Sequence, residues 1–294
     1  MIAIVGATGV LGRELTRRLL SNGEPVIAVT RDPARARDLA AIGAEVRAGD
    51  LVDPGSLPAA IRGADVVVAA AHGLLGRGRY RSSLVDDAGH RALIDAAKAQ
   101  GIAHFMYTSV LGASQSHPVA FWRTKHAIER YLDASGLAHT ILRPTAFMET
   151  HAHELLGKAI VDGKAAVVFG SGTRLVNFVA AADVAAIAAM ALADRAAPSR
   201  TIEIGGPENL TRNDVVALYA RVSGRPPKAR HVSAGALRLF SAVLRPVHEG
   251  LSGVMAMSAY FDAVDQSFDP AETLRSYPIA LTRLEDFVRA RATR

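Results

Sequence analysis

Short apolar runs alternate with helical patterns from the N-terminus, and a glycine-rich turn follows the first run; these two features predict an α/β fold with a doubly wound parallel sheet. Helices between successive strands make those strands parallel, so functional groups are expected at the carboxyl ends of the strands. The predicted strands before Pro144 are IAIVG, PVIAVT, GAEVRAGD, ADVVVAAA, GIAHFMYTS and LAHTILRP.

The helices and the later strands follow from local patterns. The first helix, LGRELTRRLLSNG, ends at Gly23 and repeats an apolar residue at every fourth position, at Leu11, Leu15 and Leu19. After Pro144, strands are predicted at AAVVFG, RLVNFV and RTIEIGG, and helices at AADVAAIAAMALADR and at TRNDVVALYARVSG, which Thr211 caps. We therefore predict a core over residues 1–145, and a segment over residues 146–294 that completes the core and adds a smaller, discontinuous C-terminal lobe for substrate.

The composition excludes several classes of protein. The chain has 294 residues, half of them apolar, and no cysteine, which excludes disulfides, catalytic thiolates and thiolate metal sites. Its net charge of +6 favours an anionic partner, but the arginines are scattered and no nucleic acid is expected. The longest apolar stretch is too short to span a membrane, and MIAIVGATGV has no signal-peptide pattern. The sequence predicts a cytoplasmic protein with no membrane partner, either a monomer or a homodimer.

The turn GATGVLG follows the first predicted strand and opens the first helix. Gly6 allows a tight turn, Gly9 allows the backbone to approach a pyrophosphate, and Gly12 allows the helix to pack closely on the strand. The amides and the dipole of the helix N-terminus then face the anion. The arrangement predicts a Rossmann fold in which residues 1–145 bind a dinucleotide.

The end of the second strand, AVTRDP, distinguishes two cofactors. A carboxylate there binds the ribose 2′-hydroxyl of NAD, whereas an arginine accommodates the 2′-phosphate of NADP. Asp32 and Pro33 form a good N-cap and first-turn pair, so we assign Asp32 to capping and Arg31 to the ribose phosphate. NADP(H) is therefore predicted in preference to NAD(H). Asp50, at the end of the third strand, is a candidate adenine contact or a turn residue.

A lysine interrupts an apolar helix face in FWRTKHAIERYL. Phe121, Lys125, Ile128 and Leu132 share this face at 3.6 residues per turn. Either the carbon stem of the lysine packs while its ammonium reaches water, or the ammonium is buried beside a ligand. The pattern alone leaves both interpretations open.

The chain resembles the atypical short-chain dehydrogenase/reductases, specifically the NmrA-like group that also contains isoflavone-reductase-like and quinone-reductase-like proteins. The resemblance covers most of residues 1 to about 225. The segments that carry it are IVGATGVLG, VTRDPARARDLAAIGAEVRAGDLVDPGSL, HFMYTSVLGA, FWRTKHAIERYLDASGLAHTILRPTAFME, ADVAAIAAMAL and TIEIGGPENLTRNDVVALYARVSG.

This resemblance implies roles for the matching positions. It implies phosphate contacts at Gly6, Thr8, Gly9, Val10, Leu11 and Gly12, recognition of the ribose phosphate at Arg31, and adenine contacts at Asp50 and Leu51. It implies nicotinamide-side contacts at Ala69, Ala70, Ala71, Thr108, Ser109 and Lys125. It also implies that Pro144 binds the cofactor and that the stretch from Pro144 to Phe147 leads into the substrate pocket. Lys125 matches the lysine of the Tyr-x-x-x-Lys pair of short-chain dehydrogenases, and Phe121 occupies the tyrosine position.

The departure at Phe121 leaves the proton donor open, because a phenylalanine has no proton to give. We predict Lys125 and Ser109 as catalytic residues: Lys125 holds the nicotinamide ribose or acts through water, and Ser109 orients a substrate carbonyl, unless it only forms a turn. The predicted substrate residues are Phe147, His151 and Tyr80. No metal is predicted, since the histidine pair in ETHAHE lacks a third ligand.

Two functions follow from these residues. The leading hypothesis is an NADPH-dependent oxidoreductase that reduces a small hydrophobic carbonyl, quinone or enone. The alternative is a non-catalytic NAD(P)-binding redox sensor, or a regulatory or assembly protein. Phe121 keeps this alternative open, because the NmrA-like group includes regulators that lack the active tyrosine.

Overall fold

The computed structural model describes residues 1–194, 199–244 and 246–292. The chain divides into two units. Unit 1 comprises Met1–Arg143 and Val184–Glu203, and unit 2 comprises Pro144–Asp183 and Ile204–Arg294.

The predicted strands are present. Within the described residues, the strands are β1 (Ile2–Val5), β2 (Val26–Thr30), β3 (Glu45–Ala48), β4 (Val66–Ala69), β5 (His104–Thr108), β6 (His139–Pro144), β7 (Ala146–Phe147), β8 (Ala166–Phe169), β9 (Leu175–Val179), β10 (Arg200–Ile204), β11 (Asn209–Thr211) and β12 (Ala229–Val232). Every residue of β1, β2 and β4 is buried, as expected for central strands covered on both faces.

The main sheet confirms the predicted doubly wound parallel fold. Among the described residues it has seven strands in the order β10-β6-β5-β4-β1-β2-β3. The pairs β3 with β2, β2 with β1, β1 with β4, β4 with β5, and β5 with β6 are all parallel. The chain order reverses between β1 and β4, and such a switch point leaves a crevice at the carboxyl ends of the strands.

The helices cover this sheet and build unit 2. The α-helices are α1 (Val10–Ser21), α2 (Arg37–Ala41), α3 (Leu57–Ala60), α4 (His90–Ala99), α5 (Ala120–Ser135), α6 (Lys158–Val161), α7 (Ala181–Ala193), α8 (Arg212–Ser223), α9 (Ala234–Leu244), α10 (Glu249–Phe261), α11 (Ala271–Ser276) and α12 (Leu284–Ala292). In the part of the chain that the structure describes, two π-helices, Ser83–Gly89 and Met148–Gly157, run directly into α4 and α6.

The predicted helix ends are confirmed. Helix α1 ends at Ser21, two residues before Gly23, whose φ of +80° stops the helix. Thr211 caps α8 in a reciprocal capping box with Asp214. Asp32 accepts a hydrogen bond from the backbone N–H of Ala34, so it caps the 3₁₀-helix that follows β2, as predicted.

The described residues of unit 2 form two small sheets. One has the strand order β11-β9-β7, and in the other β12 pairs with β8 in parallel. The unit has its own apolar core, in which Phe178 and Tyr219 are 2% and 1% exposed. None of the helices in the described ranges has both the length and the hydropathy that crossing a bilayer requires.

Candidate cofactor and active site

The glycine-rich turn joins β1 to α1. Gly6 has a φ of +91°, and a Cβ on it would lie 2.7 Å from the backbone N of Ala71, so only glycine fits. A Cβ on Gly12 would lie 2.2 Å from the carbonyl oxygen of Gly6, so α1 packs directly on the turn. Gly9 precedes α1, and no side chain caps that helix. Its first amides are therefore open to an anion. The other predicted phosphate contacts in the turn are Thr8 (half-buried), Val10 (exposed) and Leu11 (buried).

Three side chains from separate elements lie together where the adenosine end of the cofactor is predicted. The guanidinium carbon of Arg31 lies 4.5 Å from the centre of the Tyr80 ring. The Tyr80 hydroxyl donates to Asp50 Oδ2 at 3.2 Å, and the neighbouring Leu51 is buried. The structure thus groups Tyr80, which the sequence assigned to substrate, with two residues assigned to the cofactor.

Two strand ends carry the predicted nicotinamide-side contacts. At the end of β4, Ala69 is buried, and Ala70 donates its backbone N–H to Val5 O at 2.9 Å. At the end of β5, the buried hydroxyls of Thr108 and Ser109 have no hydrogen-bond partner among the residues that the structure describes. Buried hydroxyls without partners are rare, so these two suit a ligand that supplies the missing hydrogen bonds.

Lys125 is buried in α5, with 3% of its surface exposed. Its Nζ donates to the carbonyl oxygen of Thr108 at 3.1 Å and lies 3.9 Å from Asp86 Oδ1. The ring centres of Tyr107 and Phe121 lie 5.0 and 5.3 Å from Nζ. Burial lowers the pKa of Lys125, and the Asp86 carboxylate opposes this effect. The interpretation in which the ammonium reaches water is therefore wrong.

Asp86 is a fully buried carboxylate that the sequence analysis did not single out. It lies in the π-helix before α4 and is 0% exposed. Its oxygens accept from the backbone N–H of Gly73 at 3.0 and 3.2 Å and from the Ser82 hydroxyl at 2.6 Å. These hydrogen bonds offset the cost of its burial, and the Lys125 ammonium balances its charge.

The helical pattern in SSLVDDAGHRALIDAAKA indicates that Asp86 lies on a buried helix face. Asp86, His90, Leu93 and Ala97 recur at helical spacing and all four are buried. The same spacing drew attention to Lys125, and here it places a carboxylate on an apolar face. Two polar residues on facing apolar helix faces would have suggested a buried ion pair.

His90 and Tyr107 are further buried polar groups near Lys125. Their ring centroids lie 5.4 Å apart in an edge-to-face arrangement. His90 Nδ1 lies 2.8 Å from the carbonyl oxygen of Val85, and because a carbonyl only accepts, Nδ1 carries the proton. Within the described residues, His90 Nε2 and the Tyr107 hydroxyl have no partner. Burial lowers the pKa of His90 to about 4 and raises that of Tyr107.

His90→Gln is expected to make the protein less sensitive to mild acid. The folded protein keeps His90 neutral down to a pKa of about 4, whereas the ordinary value is 6.5, so the unfolded chain binds more protons between these values. The wild-type free energy of unfolding should therefore fall between pH 7 and pH 5 by about 2 kcal/mol because of this residue. Glutamine does not titrate, so the unfolding free energy of the variant should fall by about 2 kcal/mol less than that of the wild type between the two pH values. Urea unfolding at pH 7 and at pH 5 measures this difference. An equal loss in both proteins would contradict a neutral buried His90.

A bidentate ion pair anchors α5 to the sheet. Arg143, on β6, donates to both carboxylate oxygens of Glu129 at 3.0 and 2.7 Å, and Glu129 is 3% exposed. Bidentate arginine–carboxylate pairs combine strength with a fixed geometry. Glu129 stands one helical turn after Lys125, so this pair also restrains Lys125.

The remaining predicted site residues, the cofactor residue Pro144 and the substrate residues Phe147 and His151, belong to unit 2. Pro144 ends β6, and Phe147 is half-buried in β7, where it pairs with Val179 of β9. His151 lies in the second π-helix and donates from Nδ1 to the carbonyl oxygen of Phe147 at 3.3 Å. Helix α9 carries exposed apolar side chains at Leu239, Phe240 and Val243.

His151 and His153 do not form part of a recognisable metal site. His153 Nδ1 lies 3.1 Å from the Tyr219 hydroxyl, and burial lowers the pKa of His153. The described part of the chain contains no group of three or more His, Asp or Glu side chains arranged to hold a metal ion.

The chain belongs to the NmrA-like family, whose model matches residues 1–288. This match confirms the resemblance inferred from the glycine turn and the Lys125 helix. One relative is the NAD(P)H azoreductase of Xenophilus azovorans, 29% identical over 91% of this chain and 86% of the relative. Another is quinone oxidoreductase 2 of Escherichia coli (strain K12), 30% identical over 93% of this chain and 92% of the relative.

A solved structure and a relative of a different kind complete the comparison. The NADPH-dependent quinone oxidoreductase of Escherichia coli, complexed with NADPH, superposes with a TM-score of 0.76 at 26% identity over 99% of both chains. The photosystem II assembly factor Ycf39 of Guillardia theta is 29% identical over 76% of this chain and 70% of the relative. The chain therefore has relatives named for reduction and a relative named for assembly.

Proposed function

We propose that the protein is an NADPH-dependent oxidoreductase that reduces a small hydrophobic carbonyl, quinone or enone. The observation that carries this proposal is the buried Lys125 ammonium, which donates to Thr108 O beside the hydroxyls of Thr108 and Ser109, for which the described residues supply no hydrogen-bond partner. A buried cation next to unpartnered hydroxyls is typical of a reaction centre. The reductase names of the relatives agree with this assignment.

Unit 1 fits a nicotinamide dinucleotide. The turn leaves no room for a Cβ at Gly6 or Gly12, and the uncapped start of α1 offers amides to a pyrophosphate. Asp32 is engaged as a cap rather than held for a ribose 2′-hydroxyl, and Arg31 precedes it at the end of β2, which favours NADP(H) over NAD(H). When bound, the reduced nicotinamide supplies the hydride.

In this proposal, the protein's own residues orient the substrate and supply the proton. We assign Thr108, Ser109 and Lys125 to the nicotinamide side, with the Ser109 hydroxyl donating to the oxygen that gains charge. Phe121 has no proton to give, so the ammonium of Lys125, or a water that it binds, is the proton source. We keep Phe147 and His151, which lie in unit 2, as candidate substrate residues.

The test is acceptor-dependent loss of the reduced-nicotinamide absorbance, followed with a panel of quinones, enones and aldehydes. At least one acceptor should consume NADPH at a rate proportional to enzyme. If NADPH binds and no acceptor consumes it, the reductase proposal fails.

Ser109→Ala is expected to lower the turnover number about tenfold with the best acceptor, the value of one hydrogen bond to a charged oxygen. Its hydroxyl has no partner among the described residues, so stability should stay the same or rise slightly. Ser135→Ala, at a helix end where the hydroxyl donates to Leu132 O, is the matched control and should leave turnover unchanged. Full activity in the Ser109 variant would remove Ser109 from the site.

The second candidate is an NAD(P)-binding redox sensor, or a regulatory or assembly protein. Phe121 at the tyrosine position favours it, and so does the relative named as an assembly factor. This function requires cofactor binding without acceptor-dependent turnover, so the same panel distinguishes the two candidates.

A further inference from the structure

The loop from Gly73 to Ser82 is ordered by hydrogen bonds, and both of its ends bind the same carboxylate. Asp86 accepts from the backbone N–H of Gly73 and from the hydroxyl of Ser82. Inside the loop, Gly76 N–H donates to Gly73 O at 2.8 Å, and a Cβ on Gly76 would lie 1.7 Å from the carbonyl oxygen of Tyr80. The backbone of the loop is thus folded tightly on itself, which fixes the position of Tyr80.

Tyr80 presents its ring to two arginines. The guanidinium carbons of Arg31 and Arg79 lie 4.5 and 5.3 Å from the ring centre, close enough for cation–π attraction. The Tyr80 hydroxyl donates to Asp50 Oδ2, and Asp50 Oδ1 accepts from the backbone N–H of Val52 at 3.1 Å. The hydrogen bond to Asp50 therefore fixes the Tyr80 ring at its hydroxyl, while the face of the ring attracts the Arg31 and Arg79 guanidinium groups.

The two arginines have unused hydrogen-bonding capacity. No ion pair or hydrogen bond joins Arg31 or Arg79 to another of the described residues, although several neighbouring arginines are paired. A guanidinium carries five N–H donors in a fork that matches a phosphate. Two such groups beside one aromatic ring therefore offer N–H donors of the kind that a phosphomonoester requires.

We propose that Tyr80 and Arg79 determine cofactor specificity, binding together with Arg31 the 2′-phosphate of the adenosine ribose. This inference rests on the proposed dinucleotide binding and extends it to a loop that follows β4. Arg31 and Arg79 donate to the phosphate oxygens, and the Tyr80 ring, held by Asp50, keeps both guanidinium groups in place. NADH lacks the 2′-phosphate and gains nothing from this arrangement.

The experiment titrates NADPH and NADH separately into the full-length protein and measures both dissociation constants by nicotinamide fluorescence. Arg79→Ala and Tyr80→Ala should each raise the Kd for NADPH about tenfold and change the Kd for NADH by less than about threefold, since one charge-assisted hydrogen bond is worth about that factor. Tyr80→Phe keeps the aromatic ring, so it should raise the Kd for NADPH less than Tyr80→Ala does. Arg31→Ala should lower the NADPH preference in the same way.

Arg81→Ala is the matched control, because Arg81 is a neighbouring arginine that donates to Ser83 Oγ at 3.0 Å and is not one of the arginines in cation–π contact with Tyr80 among the described residues. It should leave both constants unchanged. A preference for NADPH that falls in Arg31→Ala but persists in Arg79→Ala and Tyr80→Ala would overturn the inference. A wild-type protein that binds neither nucleotide would overturn the proposed function as well, whereas binding without turnover would overturn the reductase assignment alone.

Discussion

Gly12→Ala is expected to abolish NADPH binding and to destabilise unit 1. The new methyl carbon would lie 2.2 Å from Gly6 O and 2.8 Å from the Cα of Ala7. Both atoms belong to backbone that continues the fully buried strand β1, so the helix, and not the strand, must move. Overpacking of this kind costs about 1–3 kcal/mol or more, and it shifts the α1 amides that we assign to the pyrophosphate. Urea unfolding and an NADPH titration measure the two effects.

Gly9→Ala is the matched control for the loss of stability in Gly12→Ala. A Cβ on Gly9 would lie 3.2 Å from Gly6 O, and the φ of −78° suits any residue. This variant should unfold within about 1 kcal/mol of the wild type, yet bind NADPH about tenfold more weakly because its methyl group stands where the pyrophosphate approaches. Wild-type NADPH affinity in Gly12→Ala would contradict the assignment of the turn to phosphate binding.

The sequence predicted the core of the fold because its signals are local. The alternation of strands and helices depends on apolar spacing within each segment, and the turn at Gly6 depends on residues that adjoin β1. The caps at Asp32 and Thr211 are equally local, since each accepts from an amide two or three residues away. Such features do not require knowledge of which strands become neighbours.

The features that the sequence did not predict depend on long-range contacts. Asp86 and Lys125 belong to different helical elements, and they meet only because the fold brings those two elements together. Tyr80 contacts Asp50 across 30 positions of the chain. Pairings of this kind follow from strand order and loop closure, which no single segment encodes.

Lys125→Met is expected to lower the turnover number at least about 100-fold, because it removes the ammonium that we propose both to position the nicotinamide side and to supply the proton. It also leaves the Asp86 carboxylate buried without its cation. Breaking a buried pair in this way costs about 3–5 kcal/mol of unfolding free energy. Loss of activity alone would therefore not separate a chemical role of Lys125 from a structural one.

A double variant separates the two roles of Lys125. Asp86→Asn keeps an oxygen to accept from Gly73 and Ser82, so Lys125→Met combined with Asp86→Asn has no buried charge at this place and should recover most of the lost stability. Its turnover should stay as low as that of Lys125→Met. Asp86→Asn alone removes the carboxylate that raises the pKa of Lys125, so the alkaline limb of its pH–rate profile should move to lower pH. Lys158→Met, at an exposed lysine, controls for loss of positive charge. Recovery of activity along with stability in the double variant would make Lys125 a structural residue and remove the basis for the reductase chemistry proposed here.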